Sequence, residues 1–221
     1  MAYLLRGALI EYGSGLIGPI PNVVIFQFNP ESLNRTLQVP QRPSGASARE
    51  STQAGERTVE KIVLKAQFSA ADMLGENKAL ARLFGISPQI SALEKMAIPS
   101  SKLAGLAGEA INAIKGAVGA KKDPTQPIPR EKFPRILFLW GLTRVLPVTI
   151  ESMSINEMEF DPLLNPIRAD VDIGLAVHPP DPDSGDKIAQ GALTYTNLAT
   201  EAKAAANLIN TAQQIRELIP F

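Results

Sequence analysis

IRADVDIGLAV, Ile167–Val177, places Ile167, Ala169, Val171, Ile173, Leu175 and Val177 at every second position, with Arg168, Asp170 and Asp172 between them. A period of two sends alternate side chains to opposite faces of a strand. One face is therefore apolar and the other charged. That pattern suits an antiparallel sheet with a core on one side and water on the other, whereas a parallel sheet is covered on both. Thr58 to Ser69 repeats it, with Ile62, Leu64, Ala66 and Phe68 on one face. Leu146 to Glu159 carries Val148, Ile150, Met153 and Ile155, and Arg135 to Trp140 is an apolar run stopped by Gly141. Nearer the N-terminus, Asn22 to Phe28 is β-branched and aromatic, bounded by Pro19 and Pro21 before it and Asn29-Pro30 after it. Ser32 to Val39 resumes as a further strand, with Leu33, Leu37 and Val39 on one face.

Helical spacing interrupts this β pattern. Asp72 to Phe84 places Met73, Leu80, Leu83 and Phe84 on one stripe, and Gly85 stands where a C-terminal cap belongs. Helices are also expected over Ser87–Ala97 and Ser101–Ala120, with Pro99 between them. The stretch from Pro40 to Arg57 has almost no large apolar residue and reads as a long loop. Lys121 to Pro134, with four prolines, reads as a connector. After the acidic loop Pro179–Asp186, a helix of roughly 30 residues is expected from Ile188 to Ile219. Its stripe is Leu198, Ala202, Ala205, Ile209, Ala212, Ile215 and Ile219. Two placements are open: the helix packs back on its own sheet, or it docks on another subunit.

Composition narrows the function. The chain has 221 residues with 45% hydrophobic content, and 22 basic residues balance 22 acidic ones. No net field draws it to nucleic acid or to an anionic membrane. Cysteine is absent and His178 is the single histidine, so thiolate metal sites, cysteine nucleophiles and most imidazole chemistry are excluded. No metal or other cofactor is expected. Gly13, Gly15 and Gly18 match a dinucleotide-binding glycine pattern, but Pro19 and Pro21 lead into a strand and no helix follows to hold a pyrophosphate. Asp181 and Asp183 beside His178 lack the distal bidentate Glu of a calcium loop. Glu157 with Glu159, and Asp170 with Asp172, read as solvated strand faces. No serine stands in a nucleophile-elbow context. The expectation is a protein that is not an enzyme, made in the cytoplasm without a signal peptide or membrane-inserted segment.

Two blocks carry a resemblance. The first is VIFQFNPESL, Val24–Leu33, with Phe26, Phe28, Asn29 and Pro30. The second runs from Pro134 to Val177, with Phe138, Trp140 and Gly141, then Phe160, Asp161, Pro166, Arg168 and Ala169. In this order they resemble the N-terminal domain of the tube and baseplate-adaptor family of contractile injection systems, phage-tail-like particles whose adaptors often carry a lysin-motif domain. The resemblance implies an antiparallel β-barrel or sandwich of the phage tail-tube type with a flanking helix, and with the inserted helical region and long C-terminal helix read from the spacing above the expected fold class is α+β. The expected organisation is a tail-tube-like domain over 1–178 with the helical insertion at about 70–120, followed by an acidic loop and assembly helix over 179–221. No lysin-motif domain is evident after His178, so peptidoglycan binding is not expected.

The implied role is structural. The chain would form a ring, six-fold in the family, and join the inner tube protein and the spike or hub protein to other baseplate proteins of a tail-like particle. An inner-tube subunit is the alternative, and a monomeric ligand-binding module lies further off. Phe28, Asn29, Pro30, Trp140, Gly141, Phe160, Asp161, Pro166 and Arg168 are the expected structural and assembly residues. From their chemistry, Phe160-Asp161-Pro162 and Asn165-Pro166 should turn a hairpin. Arg168 should pair with Asp161, with a neighbouring subunit or with a local partner.

Overall fold

The computed structural model describes residues 5–12, 22–40, 58–75, 79–98, 133–181 and 183–218, without the side chains of 72, 73, 80, 209, 210, 212, 213 and 215–218. The expected helix over 101–120, the Gly13–Gly18 stretch, Ile219 and most of the 40–57 and 121–134 segments lie outside the described residues.

Among the described residues, seven strands form one antiparallel sheet. They are β1 (Ala8–Tyr12), β2 (Val23–Ile25), β3 (Leu33–Gln38), β4 (Val59–Ser69), β5 (Arg135–Trp140), β6 (Arg144–Phe160) and β7 (Pro166–Val177). Their spatial order is β2-β1-β5-β6-β7-β4-β3. The helices are α1 (Ala71–Gly75), α2 (Ala79–Phe84), α3 (Ser87–Ala97) and α4 (Lys187–Leu218). The fold is therefore mixed α+β, an open antiparallel sheet with helices.

The period-two stretches are central in the sheet. Phe68 pairs with Ala169, Ala66 with Val171, Leu64 with Ile173 and Ile62 with Leu175, and all eight are buried. The opposite face carries the Lys65–Asp170 ion pair at 2.9 Å and the Lys61–Glu151 pair at 2.8 Å. In β6 the odd step from Ile150 to Met153 is a bulge, where the register with β7 shifts between Ile150 and Ser152. The extra residue restores the apolar face beyond it. α3 covers the core with Ile90, Leu93 and Met96, and its range is the one the sequence indicates.

The sheet is strongly curled. Gln27, two residues past β2, accepts a hydrogen bond through Oε1 from the Ser69 backbone N–H at 2.8 Å, at the end of β4. Laid flat, β2 and β4 would stand five strand spacings apart, about 24 Å. Two residues and one side chain reach only on the order of 12 Å.

Within the stretch read as helical over Asp72–Phe84, the described residues are helical as α1 and α2, residues 76–78 lie outside the described residues, and Leu83 and Phe84 are exposed while Ala81 is buried. Leu33 and Leu37 share one face of β3, as their spacing indicates, and Leu37 and, just past the strand, Val39 are exposed at this edge. Of the partners open to Arg168, the structure shows a local one, Glu159, at 3.8 Å.

Candidate functional site

The nine indicated residues occupy three places, two of which converge on Gly7. After β2 the chain turns through Phe28-Asn29-Pro30, and Asn29 holds the N-terminal segment in both directions. Its Oδ1 accepts from Gly7 N–H at 3.2 Å, and its Nδ2 donates to the Leu5 carbonyl at 2.8 Å. Gly7 in turn accepts from Phe26 N–H at 2.9 Å. Asn supplies an acceptor and a donor on one short side chain, which is the requirement for clamping a backbone strand in this way. Phe28 is half-exposed, and a cavity of about 100 Å³ lies between Phe28–Ser32 and Lys65 and Gln67 of β4.

Trp140 meets the same point from β5. Its ring stacks on Phe138 with centroids 5.8 Å apart, two residues earlier on the same face. A Cβ added at residue 7 would come within 2.7 Å of the Phe26 ring and 3.0 Å of the Trp140 ring, so the rings close over a position without a side chain. Gly141 then turns the chain into β6 with φ +64 and open space around it.

The third place is the β6–β7 loop. Asp161 Oδ1 accepts from the N–H groups of Leu163 and Asn165, both at 2.8 Å, and Oδ2 accepts from Asn165 Nδ2 at 2.9 Å. The Asn165 side-chain bond leads in holding the Asp161 carboxyl below its ordinary value, against a smaller opposing effect of desolvation. Asn165 Nδ2 also donates to the Leu83 carbonyl at 3.0 Å, and the Pro166 carbonyl accepts from Ile86 N–H at 2.9 Å. The motif thus builds a turn and docks it on the α2–α3 corner. Phe160, Leu163 and Leu164 project from this tip, all exposed. Arg168 and Glu159 are both solvated, and such a pair contributes little.

Sequence reasoning missed the seating of α4. Asp186 caps it, accepting from Ala189 N–H at 3.0 Å through Oδ1, while Oδ2 accepts from the Tyr12 hydroxyl at 3.0 Å. Arg135 reaches the same oxygen at 3.4 Å and lies over the Tyr12 ring, 5.4 Å from its centroid. Burial pushes the Tyr12 hydroxyl up to about 12, and the hydrogen bond and charge of Asp186 add to this against Arg135. Burial alone would raise the Asp186 carboxyl, but the Ala189 N–H, Tyr12 and Arg135 outweigh it and hold the group below its usual range. Tyr12 and Asp186 stand 174 positions apart, so no local pattern joins them.

Further along α4, Thr196 takes the place of a missing strand. β7 ends opposite Val148, which leaves Val145 free on that side. Thr196 Oγ1 accepts from Val145 N–H at 2.9 Å and donates to the Val145 carbonyl at 2.7 Å.

None of these clusters pairs a nucleophile with a base. Buried Glu11 accepts from Asn22 Nδ2 at 3.3 Å, and the same amide donates to the Ala92 carbonyl at 3.2 Å, which ties β1 to α3. His178 is exposed at the end of β7. Among the described residues, no group of three or more His, Cys, Asp or Glu is placed to hold a metal ion, and no helix is long and apolar enough to cross a membrane. The clusters tie turns, termini and helices to the sheet. No family model matches the chain, and no curated protein matches it.

Proposed function

We propose that the chain is a structural adaptor in the baseplate of a contractile injection system or phage-like tail. It assembles as a ring and joins the inner tube and spike hub to the surrounding baseplate proteins. The observation that carries this reading is the form of the sheet. One face holds the core, and the other presents paired charges to water over β4, β7 and β6. Among the described residues, both edges, β2 and β3, pair with a neighbour on one side only. An unpaired edge is a template for another strand, and a curled sheet with a charge-balanced wet face suits a barrel-like wall of an aqueous channel. With seven alternating strands, the two edges run in the same direction. Copies joined edge to edge with a common axis would therefore pair β3 with β2 in parallel.

The motif residues support the same reading as parts of the frame. Asn29 and Trp140 hold the β2 end, and Asp161, Asn165 and Pro166 hold the hairpin tip. The test is native mass spectrometry of the full-length chain together with class averages of the same sample. A closed ring, six-fold in the family resembled, is the expected result. A monomer at every concentration, in the presence of the particle's other proteins, would sink the reading.

A further inference from the structure

We infer that Arg35 and Arg144 form a binding site for a carboxylate at one end of the curled sheet. β4 and β6 begin at this end, and β3 and β7 finish there. Val177 pairs with both Glu60 and Val148, and Glu60 pairs with Leu37. Along β6, Arg144 has the parity of buried Leu146, Val148 and Ile150, and it stands opposite Trp140. Along β4, Glu60 has the parity of buried Ile62 and Leu64, and Arg35 shares that face from β3, opposite Ile62. Three charged residues thus occupy the face that elsewhere holds the core. They are not a freely solvated rim, since Arg144 is half-buried and the Glu60 side chain is only 15% exposed.

The three charges are not matched. Arg35 Nε donates to Glu60 Oε1, which engages that carboxylate. Among the described residues Arg144 donates no hydrogen bond and makes no ion pair. Burial holds its guanidinium below the ordinary arginine value, the Arg35 charge adds to this, and Glu60 opposes them less strongly. The two guanidiniums feel each other's charge, so an anion between them meets both. A part-buried charge without a partner costs stability, and the guanidinium fork matches the two oxygens of a carboxylate. Charge also selects the anion. Two guanidiniums and one carboxylate leave a single positive charge on this face, which one further carboxylate cancels. A phosphate dianion would leave an excess negative charge beside Glu60. The carboxylate arrives either as a free small acid or as an Asp or Glu of another chain.

The inference concerns one chain and does not depend on the ring. Magnetic resonance of the full chain with isotope-labelled arginine follows the Nε–Hε signal of Arg144, assigned by its loss in Arg144→Met. Sodium acetate, titrated against sodium chloride at constant ionic strength, should shift that signal saturably and raise the melting temperature. Sodium phosphate should bind at least tenfold more weakly. In chloride alone Arg144→Met should melt no lower than the unsubstituted chain, because it keeps an apolar stem and removes a charge without a partner. Its acetate response should vanish, and that of Arg35→Gln, where Glu60 is released to Arg144, should fall at least tenfold. Lys61→Gln, on the opposite face of β4, should keep the full response. A lower melting temperature for Arg144→Met in chloride, or an acetate response that survives in both arginine variants, overturns the inference. Phosphate binding as tight as acetate overturns the choice of anion. An acetate-like position of the Arg144 signal in the self-associated chain without acetate supports the site and assigns the carboxylate to a neighbour's Asp or Glu. A shift with acetate alone supports the site and assigns a small acid.

Discussion

Gly85→Ala tests how tightly the hairpin is docked on the α2–α3 corner. Gly85 has φ +57, and a Cβ there would overlap the Pro166 carbonyl oxygen. The left-handed conformation alone costs a residue with a Cβ about 1–2 kcal/mol. The carbonyl must also retreat, which breaks the 2.9 Å bond from Ile86 N–H and leaves buried backbone unpaired, at about 1–3 kcal/mol. Gly141→Ala is the internal control. Its φ is +64 and nothing lies within 4 Å of the added Cβ, so only the conformational cost applies. For a chain of this size 1 kcal/mol moves Tm by roughly 2–4 °C. Gly85→Ala should therefore melt about 6 °C below Gly141→Ala by circular dichroism, with amide exchange at Ile86 accelerated in the first variant alone. Equal melting temperatures and unchanged exchange at Ile86 would refute the docking argument.

Asn29→Ala removes both clamps on Leu5–Gly7 and should cost about 1–2 kcal/mol in urea unfolding, with faster amide exchange at Gly7. Trp140→Ala removes the ring stacked on Phe138 and should cost about 3 kcal/mol, measured the same way. Thr196→Val leaves both Val145 backbone groups without their partner, so exchange at Val145 should accelerate while the β4–β7 ladder is unaffected. Asp161 and Asp186 are held below the usual carboxylate value of 3.8, so their stabilisation is complete above that value and is lost as pH falls through the lowered one. Unfolding against pH should show this acid loss reduced in Asp186→Asn. Tyr12 is raised, so its contribution is full below pH 10 and is lost as pH rises towards about 12, and Tyr12→Phe should remove that alkaline limb.

The parts legible in the sequence are those where one face of an element is buried. β4 and β7 show a clean period of two because one face of each lies in the core along the paired length while the other carries residues such as Lys65 and Asp172 into water. α3 shows Ile90, Leu93 and Met96 at helical spacing for the same reason. The α4 stripe was equally visible, but periodicity names an apolar face without saying which chain covers it. Here Leu198, Ala202 and Ala205 point away from the sheet, and a threonine faces it because a strand edge at Val145 needs a donor and an acceptor. Of the site, the Asn29 turn and the Asp161 loop were readable from local turn chemistry. The Tyr12–Asp186–Arg135 cluster was not, since its members meet only through the fold.

Electron microscopy of native particles, recovered through a gold-labelled tag on this chain, tests the adaptor role most directly. The account predicts label confined to one end of sheathed, rod-shaped particles. Label spread along the bare tube would contradict the adaptor role in favour of a tube subunit, and recovery of an isolated monomer would contradict the assembly role altogether.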